Sequence, residues 1–221
     1  MKHIVRLYGI NVNLCVVRTD DEAIDLYTQW MNDENINMYI GKNSVISPRI
    51  EQEKWANREC SDDDCRFCIV EKKSDKLIGT CSLSIRPNAR NASLGICIGD
   101  PACRNRGYGT EVVKLLIKFA FYEQNMHRVE LFVNAENDRA IDCYKKAGFK
   151  IVGTMHDADY YHGHYCDVHV MEILEDEYNK IMEDIKSSNF NNDMIPEQGM
   201  FEQMIELEEL SEQELKQLRR I

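Results

Sequence analysis

The chain has 221 residues, 43% of them hydrophobic, which is enough to bury the core of one domain with or without an appendage. Its 38 acidic residues outnumber 27 lysines and arginines, and the formal charge of -11 argues against nucleic-acid partners and against anionic membrane surfaces. The same charge is compatible with a cationic acceptor such as a polyamine, an aminoglycoside or a basic peptide.

The nine cysteines are an odd number. Cys81, Cys97 and Cys143 fall inside strand or helix patterns, where a free thiol behaves as a small buried hydrophobe. No signal peptide is visible, and no apolar run reaches membrane length. We therefore expect reduced cysteines and a cytoplasmic location.

The first third of the chain is typical of a β-hairpin followed by two helices. Gly9-Ile10-Asn11 interrupts a loose alternation, Asp20 or Asp21 can cap a helix, and Ser47-Pro48 is a typical helix start. In chain order the expected elements are strands at 4–8 and 12–17, a helix at 21–31, a loop at 36–46 and a helix at 48–59.

The rest of the chain alternates strand and helix patterns and then becomes helical. The expected elements are strands at 66–72, 76–86 and 92–99, a helix at 108–124, a strand at 128–133, a helix at 138–147, strands at 149–155 and 166–174, a helix at 176–188, a linker at 189–199 and a helix at 200–220. We expect one domain at 1–175 and a helical extension at 176–221, which either docks on its own domain or contacts a partner.

A turn with two glycines, Gly107 and Gly109, joins an apolar strand to a helix. The first amides of a helix have no internal partners, and with the helix dipole they form a site for anions such as phosphates. Arg104 and Arg106 add positive charge. The third glycine of a dinucleotide-binding turn is replaced by Val112, and no Gly-Lys-Ser/Thr follows as in a Walker loop.

The pattern Arg104-x-x-Gly107-x-Gly109 resembles the acetyl-CoA pyrophosphate loop of the GNAT superfamily of N-acetyltransferases. Downstream, Asn137-x-x-Ala140-Ile141-x-x-Tyr144-Lys145-Lys146-x-Gly148-Phe149 is similar to a late helix and strand of that superfamily. A third stretch, Tyr160-Tyr161-x-Gly163-x-Tyr165-x-Asp167-x-x-x-Met171, resembles the final hairpin of the ribosomal-protein N-terminal (RimJ/RimL-type) acetyltransferases. With Trp30-Met31-Asn32-Asp33, the resemblance covers roughly residues 10 to 175.

This resemblance implies an α/β (α+β) GNAT fold, with a mixed, mostly antiparallel sheet of six to seven strands flanked by helices, plus the helical extension. It implies direct transfer of an acetyl group from acetyl-CoA to a primary amine of a small molecule or of a peptide N-terminus. A homodimer is possible. The alternative is a non-catalytic module that binds acetyl-CoA or a protein partner on the same scaffold.

The resemblance also assigns the donor site residue by residue. Tyr144 matches the tyrosine that protonates the coenzyme A sulfur, and a phenol stays protonated at neutral pH. Asn137 matches the asparagine at the pantetheine arm. The remaining cofactor-binding residues are a strand edge and the glycine turn: Cys97, Ile98, Gly99, Arg104, Asn105, Arg106, Gly107, Tyr108, Gly109 and Thr110.

The acceptor side is less well marked. By resemblance, Trp30, Asp33, Tyr39 and Trp55 line the acceptor pocket, although core packing of the tryptophans and helix capping by Asp33 are the simpler explanations. The usual glutamate base is replaced by Ser93, which leaves Glu130 or Asp33, acting through water, as candidate bases.

No metal site is expected. Cys65 and Cys68 have ligand-like spacing, with Cys60 upstream, but no second pair follows. Nothing in the sequence fixes a common geometry for the histidines near the end of the domain, which are His156, His162, His164 and His169.

Overall fold

The computed structural model describes residues 3–39, 46–58, 63–161 and 163–190. The first part of the chain contains β1 (Val5–Tyr8), β2 (Val12–Val16), α1 (Asp21–Met31), α2 (Glu34–Asn37) and α3 (Arg49–Asn57). It continues with β3 (Asp64–Glu71), β4 (Lys76–Arg86), β5 (Asn91–Ile98), α4 (Tyr108–Lys118), β6 (Arg128–Asn134), α5 (Asp138–Lys146), β7 (Lys150–Tyr161), β8 (His164–Leu174) and α6 (Glu175–Phe190).

All the strands form one sheet in the order β1-β2-β3-β4-β5-β6-β8-β7. Neighbouring strands are antiparallel except for β5 and β6, which are parallel. The α/β fold class is confirmed, but the expectation of six to seven strands is wrong, because the sheet has eight. The short first hairpin contributes both of its strands, with Leu7 opposite Leu14 and Cys15 opposite Cys68.

Helix α4 forms the centre of the larger core. Its buried face includes Val112, Val113, Leu116 and Ile117, which pack on one side of the sheet. The chain then forms a π-helical turn at Phe119–Glu123, so the single helix expected at 108–124 changes its hydrogen-bond pattern before it ends. The wider turn still packs Phe119 and Ala120 into the core.

The other face of the sheet is covered by α1, α2 and α3. The second core contains Tyr27, Trp30 and Val70, with Trp55 at its edge. The loop expected at 36–46 begins with the end of α2, which Asp33 caps by accepting a hydrogen bond from the Asn35 amide at 2.9 Å. This cap confines the turn after α1 to a few residues.

The last hairpin is longer than the sequence indicated. The polar run after Met155 looked like a loop, but Asp159 pairs with Cys166 and Tyr160 with Tyr165. The register shifts between Met155 and Asp159, and this irregularity breaks the period-two pattern on which the strand limits were based.

Helix α6 packs Tyr178, Met182 and Ile185 into the larger core. The boundary proposed after residue 175 stays a prediction, and the linker and final helix proposed beyond 190 lie outside the described residues. Within the described ranges, no helix combines the length and the apolar character needed to cross a lipid bilayer.

Candidate active site

Strands β5 and β6 pair over a short distance and then separate. Their parallel pairing joins Asn91, Ala92 and Ser93 to Arg128, Val129 and Glu130. Beyond Ser93, β5 stays paired with β4 as far as Ile98 but has no pairing with β6. A cleft of about 810 Å³ opens at this point, and β5 presents one backbone edge to it.

The glycine turn closes one end of this cleft, which we name the donor cleft. Asn105 and Gly107 have left-handed backbones, with φ of 60° and 82°. Gly107 directly precedes α4, so the free amides of the first helical turn lie beside the cleft. A Cβ on Gly109 would contact the Cys143 sulfur at 3.4 Å, which shows how closely α4 and α5 approach. Helix amides and a cationic side chain at one end of an elongated cleft fit an anionic pyrophosphate.

The two arginines of the turn have different contacts. Arg104 lines the donor cleft and donates to the carbonyl oxygens of Ile98 at 3.1 Å and Gly99 at 3.2 Å, so it ties the turn to the end of β5. Arg106 instead faces Glu71 at 3.6 Å, and the Tyr108 hydroxyl donates to the same carboxylate at 2.7 Å.

Most of the predicted donor residues therefore lie together. The donor cleft is lined by Cys97, Ile98, Arg104, Asn105, Gly107, Gly109, Thr110, Asn137 and Tyr144. The side chains of Arg106 and Tyr108 are directed to Glu71 instead, and Gly99 is packed under the Trp30 ring. Glu71 was missed by the sequence analysis, because nothing local links it to a turn more than thirty residues away.

Helix α5 supplies the polar groups on the opposite wall. Tyr144 is 8% exposed and packs edge-to-face on Phe149, with ring centroids 6.0 Å apart. Burial, together with the Cys143 and Cys97 thiols, raises the pKa of the Tyr144 phenol well above its ordinary value. Asn137 lines the cleft while its side chain caps α5 by accepting from the Ala140 amide at 3.2 Å.

Cys97 lies between the two walls and is partly buried. Burial raises the pKa of its thiol to about 11, with Arg104 acting in the opposite direction and Asp33 adding to the rise. The thiol therefore stays protonated near neutral pH, which argues against an acyl-cysteine route.

A second cleft of about 770 Å³ lies on the α1–α3 side of β5, and we name it the acceptor cleft. Gly95, Ile96 and Cys97 line both clefts, so the two meet at this stretch of β5. The other walls of the acceptor cleft come from α1, from the segment around α3 and from β4, and include Trp30, Glu51, Gln52, Lys54, Trp55 and Arg58. Glu51 and Gln52 were missed by the sequence analysis, since their polar positions on α3 look like ordinary surface residues.

Of the residues predicted for the acceptor side, Trp30 and Trp55 line the acceptor cleft together, and the other three do not. Trp30 is 95% buried and also lines the acceptor cleft, so it both packs in the core and forms part of the cleft wall. Tyr39 lines the donor cleft, and Asp33 caps α2 and belongs to the lining of neither cleft. Glu130 is buried between the guanidinium groups of Arg86 and Arg128.

Known proteins share the sequence pattern of this chain. The sequence model of the acetyltransferase (GNAT) domain family matches residues 13–150. An uncharacterized N-acetyltransferase, p20, of Bacillus licheniformis is 32% identical over 118 residues, which span 51% of this chain but only 64% of that relative. Spermidine N(1)-acetyltransferase of Vibrio cholerae is 30% identical over 129 residues, 58% of this chain and 74% of the relative.

The solved structures show the same fold. Spermidine N-acetyltransferase from Vibrio cholerae, in complex with CoA and spermine, superimposes with a TM-score of 0.69. The superposition covers 76% of this chain and 98% of that structure at 24% sequence identity. The likeness therefore extends over nearly the whole of the solved chain.

Proposed function

The chain belongs to the GNAT acetyltransferase family, a family of N-acetyltransferases whose donor is acetyl-CoA, and on this premise we propose that it acetylates a primary amine of a polyamine. Transfer is direct, from the donor held in the donor cleft to the amine held in the acceptor cleft. The observation that carries this proposal is the stretch Gly95–Cys97, where the two clefts meet across a single strand.

The donor supplies an activated acetyl thioester, and the residues of this chain act on it from two sides. The unpaired edge of β5 offers backbone amides, which stabilise negative charge on a reacting carbonyl oxygen. Tyr144 is the proton donor in this proposal, because its phenol is buried, protonated and part of the cleft wall. The glycine turn and Arg104 hold the phosphates.

A cationic acceptor fits the second cleft. Trp30 and Trp55 are part of its lining, and aromatic rings attract ammonium groups; the Arg66 guanidinium already lies 5.6 Å from the centroid of the Trp55 ring. Glu51 is the carboxylate in the described lining, and it is also ion-paired with Lys54 at 2.9 Å. The overall charge of -11 adds long-range attraction for a polycation.

The attacking amine must lose a proton, and a basic group has to take it up. The Glu130 carboxylate is ion-paired with the guanidinium groups of Arg86 and Arg128, and Ser93 cannot act as an ordinary base. We therefore propose that the proton leaves through water towards Glu51, the acidic side chain that the structure places in the acceptor cleft.

The second candidate acceptor is a peptide N-terminus. The hairpin motif from Tyr160 to Met171 favours it, since this stretch resembles the ribosomal-protein N-terminal branch. Its α-amino group is less basic than a polyamine amine, so it would need less help with deprotonation.

The deciding experiment incubates the full chain with acetyl-CoA and four acceptors: spermidine, spermine, an aminoglycoside and a basic peptide with a free N-terminus. Mass spectrometry then identifies the acetylated product. We expect acetylated spermidine or spermine at the highest kcat/KM. Preferred acetylation of the peptide would replace the polyamine proposal, and acetyl-CoA binding without any product would contradict both.

We also propose that the chain works in a reducing cytoplasm and that two copies associate through β7. The cysteines within the described ranges are all unpaired, which supports a reducing compartment. β7 forms one edge of the sheet and exposes the apolar side chains of Ile151, Val152 and Met155.

A further inference from the structure

Three side chains of metal-binding type converge where the loop after β6 meets the start of β8. The ligand atoms of Glu136, His164 and Cys166 all lie within 4.8 Å of one another. His164 Nε2 and Glu136 Oε1 are 3.5 Å apart, which matches the separation of roughly 3.5 Å between two ligands of tetrahedral zinc. We propose that these three residues bind one Zn²⁺ ion per chain.

The backbone holds the three ligands in place before any ion binds. His164 and Cys166 are two residues apart on β8, so their side chains leave the same face of the strand. The Ala135 amide donates to the Asp167 carbonyl oxygen at 2.9 Å, which extends the pairing of β6 with β8 by one residue. Glu136 follows directly and is thereby placed opposite the two β8 ligands.

A buried amide supplies independent support. Asn134 is 4% exposed, and its Nδ2 has no hydrogen-bond partner within the described part of the chain. Its Oδ1 accepts from the Glu136 amide at 2.8 Å, which fixes the orientation of the side chain. The Asn134 side-chain amide is a neighbour of the Cys166 sulfur. A metal-bound thiolate would accept the hydrogen bond that Asn134 lacks.

The donor set selects the type of ion. Sulfur, imidazole nitrogen and carboxylate oxygen are the ligands that zinc uses, whereas Mg²⁺ and Ca²⁺ prefer oxygen alone. The His164 and Glu136 side chains are about half exposed, at 49% and 50%, so an ion can enter from solvent and keep a water ligand. On binding, the Cys166 thiol gives its proton to solvent and the thiolate takes the ion.

The site was missed from the sequence because Glu136 lies far from the other two ligands along the chain and only the pairing of β6 with β8 joins them. The ion would tie the loop before α5 to the final hairpin. Asn137 of the donor cleft starts that helix. The proposal does not depend on the identity of the acceptor.

The test is calorimetric titration of Zn²⁺ into the full chain after removal of metals by a chelator. We expect one ion per chain, with affinity at least roughly tenfold weaker in Cys166→Ser and in His164→Ala. Matched controls are Cys65→Ser on β3 and His156→Ala on β7, both outside the cluster, and these should bind zinc as the wild type does. Circular dichroism checks that each variant is folded.

Cobalt provides a second, spectroscopic readout of the same site. Co²⁺ bound by a thiolate gives a sulfur-to-metal charge-transfer band, and we expect this band in the wild type and in Cys65→Ser but not in Cys166→Ser. Zinc affinity unchanged in both cluster variants, or a charge-transfer band that persists without Cys166, would overturn the proposal. So would a wild-type protein that binds no zinc.

Discussion

Tyr144 has two properties that a proton donor to a leaving thiolate needs. It lines the donor cleft beside Cys97, so it is close to the strand along which the donor is expected to lie. Burial raises the pKa of its phenol, and the group therefore keeps its proton throughout the pH range in which the enzyme can be assayed. Its ring also packs on Phe149, so the hydroxyl can be removed without removing the packing.

We predict that Tyr144→Phe lowers kcat by on the order of tenfold or more and leaves acetyl-CoA affinity close to that of the wild type, because proton donation matters mainly in the transition state. Steady-state kinetics and calorimetry measure the two quantities. Tyr160→Phe, on the exposed face of β7, is the control and should leave both unchanged. Full turnover by Tyr144→Phe would remove this residue from the mechanism.

Gly99 is needed for a different reason from the turn glycines. A Cβ at this position would lie well inside van der Waals contact with the Trp30 ring. Trp30 is held by its own packing against Tyr27, with ring centroids 6.0 Å apart, and cannot easily move away. The absence of a side chain at Gly99 thus lets α1 pack on the end of β5, where both clefts begin.

Gly99→Ala should therefore destabilise the protein by about 1–3 kcal/mol through overpacking, measured as the free energy of unfolding in urea. Gly153→Ala is the matched control, because a Cβ there would meet no atom within 4 Å. Equal stability of the two variants would show that Trp30 moves aside at little cost.

The glycine turn before α4 requires glycine for its backbone conformation rather than for lack of space. A Cβ on Gly107 would contact nothing within 4 Å, but the φ of 82° disfavours any branched side chain. Asn105 shares the left-handed conformation in the same turn. The shape of the turn before α4 therefore depends on residues that tolerate positive φ.

We predict that Gly107→Val weakens acetyl-CoA binding, because the substituted turn pays a strain of about 1–2 kcal/mol or changes shape. Gly107→Asn should bind more tightly than Gly107→Val, since asparagine tolerates this conformation. Calorimetric titration of both folded variants gives the comparison. Wild-type affinity in Gly107→Val would contradict the assignment of the turn as the phosphate site.

The elements that a local pattern specifies were predictable, and those that a distant contact specifies were not. The glycine turn and α5 each carry their signal in a few neighbouring residues. The last hairpin was expected too short, because a register shift near Asp159 hides its alternation. The contact of Tyr108 with Glu71 had no local signal at all.

The sheet separates two layers of helices whose relative arrangement could not be predicted from the sequence. Helices α1 and α3 cover one face and α4 the other, and β5 connects the two cores. Most residues expected on the donor side line one cleft because they come from a contiguous stretch around α4 and α5. The acceptor cleft combines residues of α1, α3, β4 and β5, so its lining depends on tertiary packing.

Strand β7 forms an exposed, partly apolar edge of the sheet. Every described side chain from Lys150 to Ala158 on β7 is exposed, including Ile151, Val152 and Met155. An edge strand with unpaired backbone groups and apolar side chains favours pairing with another strand. The β7 strand of a second copy can pair with these backbone groups. Antiparallel pairing of two identical edges is self-complementary and produces a twofold axis.

We therefore expect the wild type to elute as a dimer or a larger even-numbered assembly in size-exclusion chromatography with light scattering. The double variant Ile151→Lys, Val152→Lys places charge on both faces of the edge and should raise the dissociation constant at least roughly tenfold. Ile4→Lys, at an exposed position near the opposite edge, is the control and should assemble normally. A wild type of single-chain mass at every concentration would contradict association through β7, as would a double variant that assembles like the wild type.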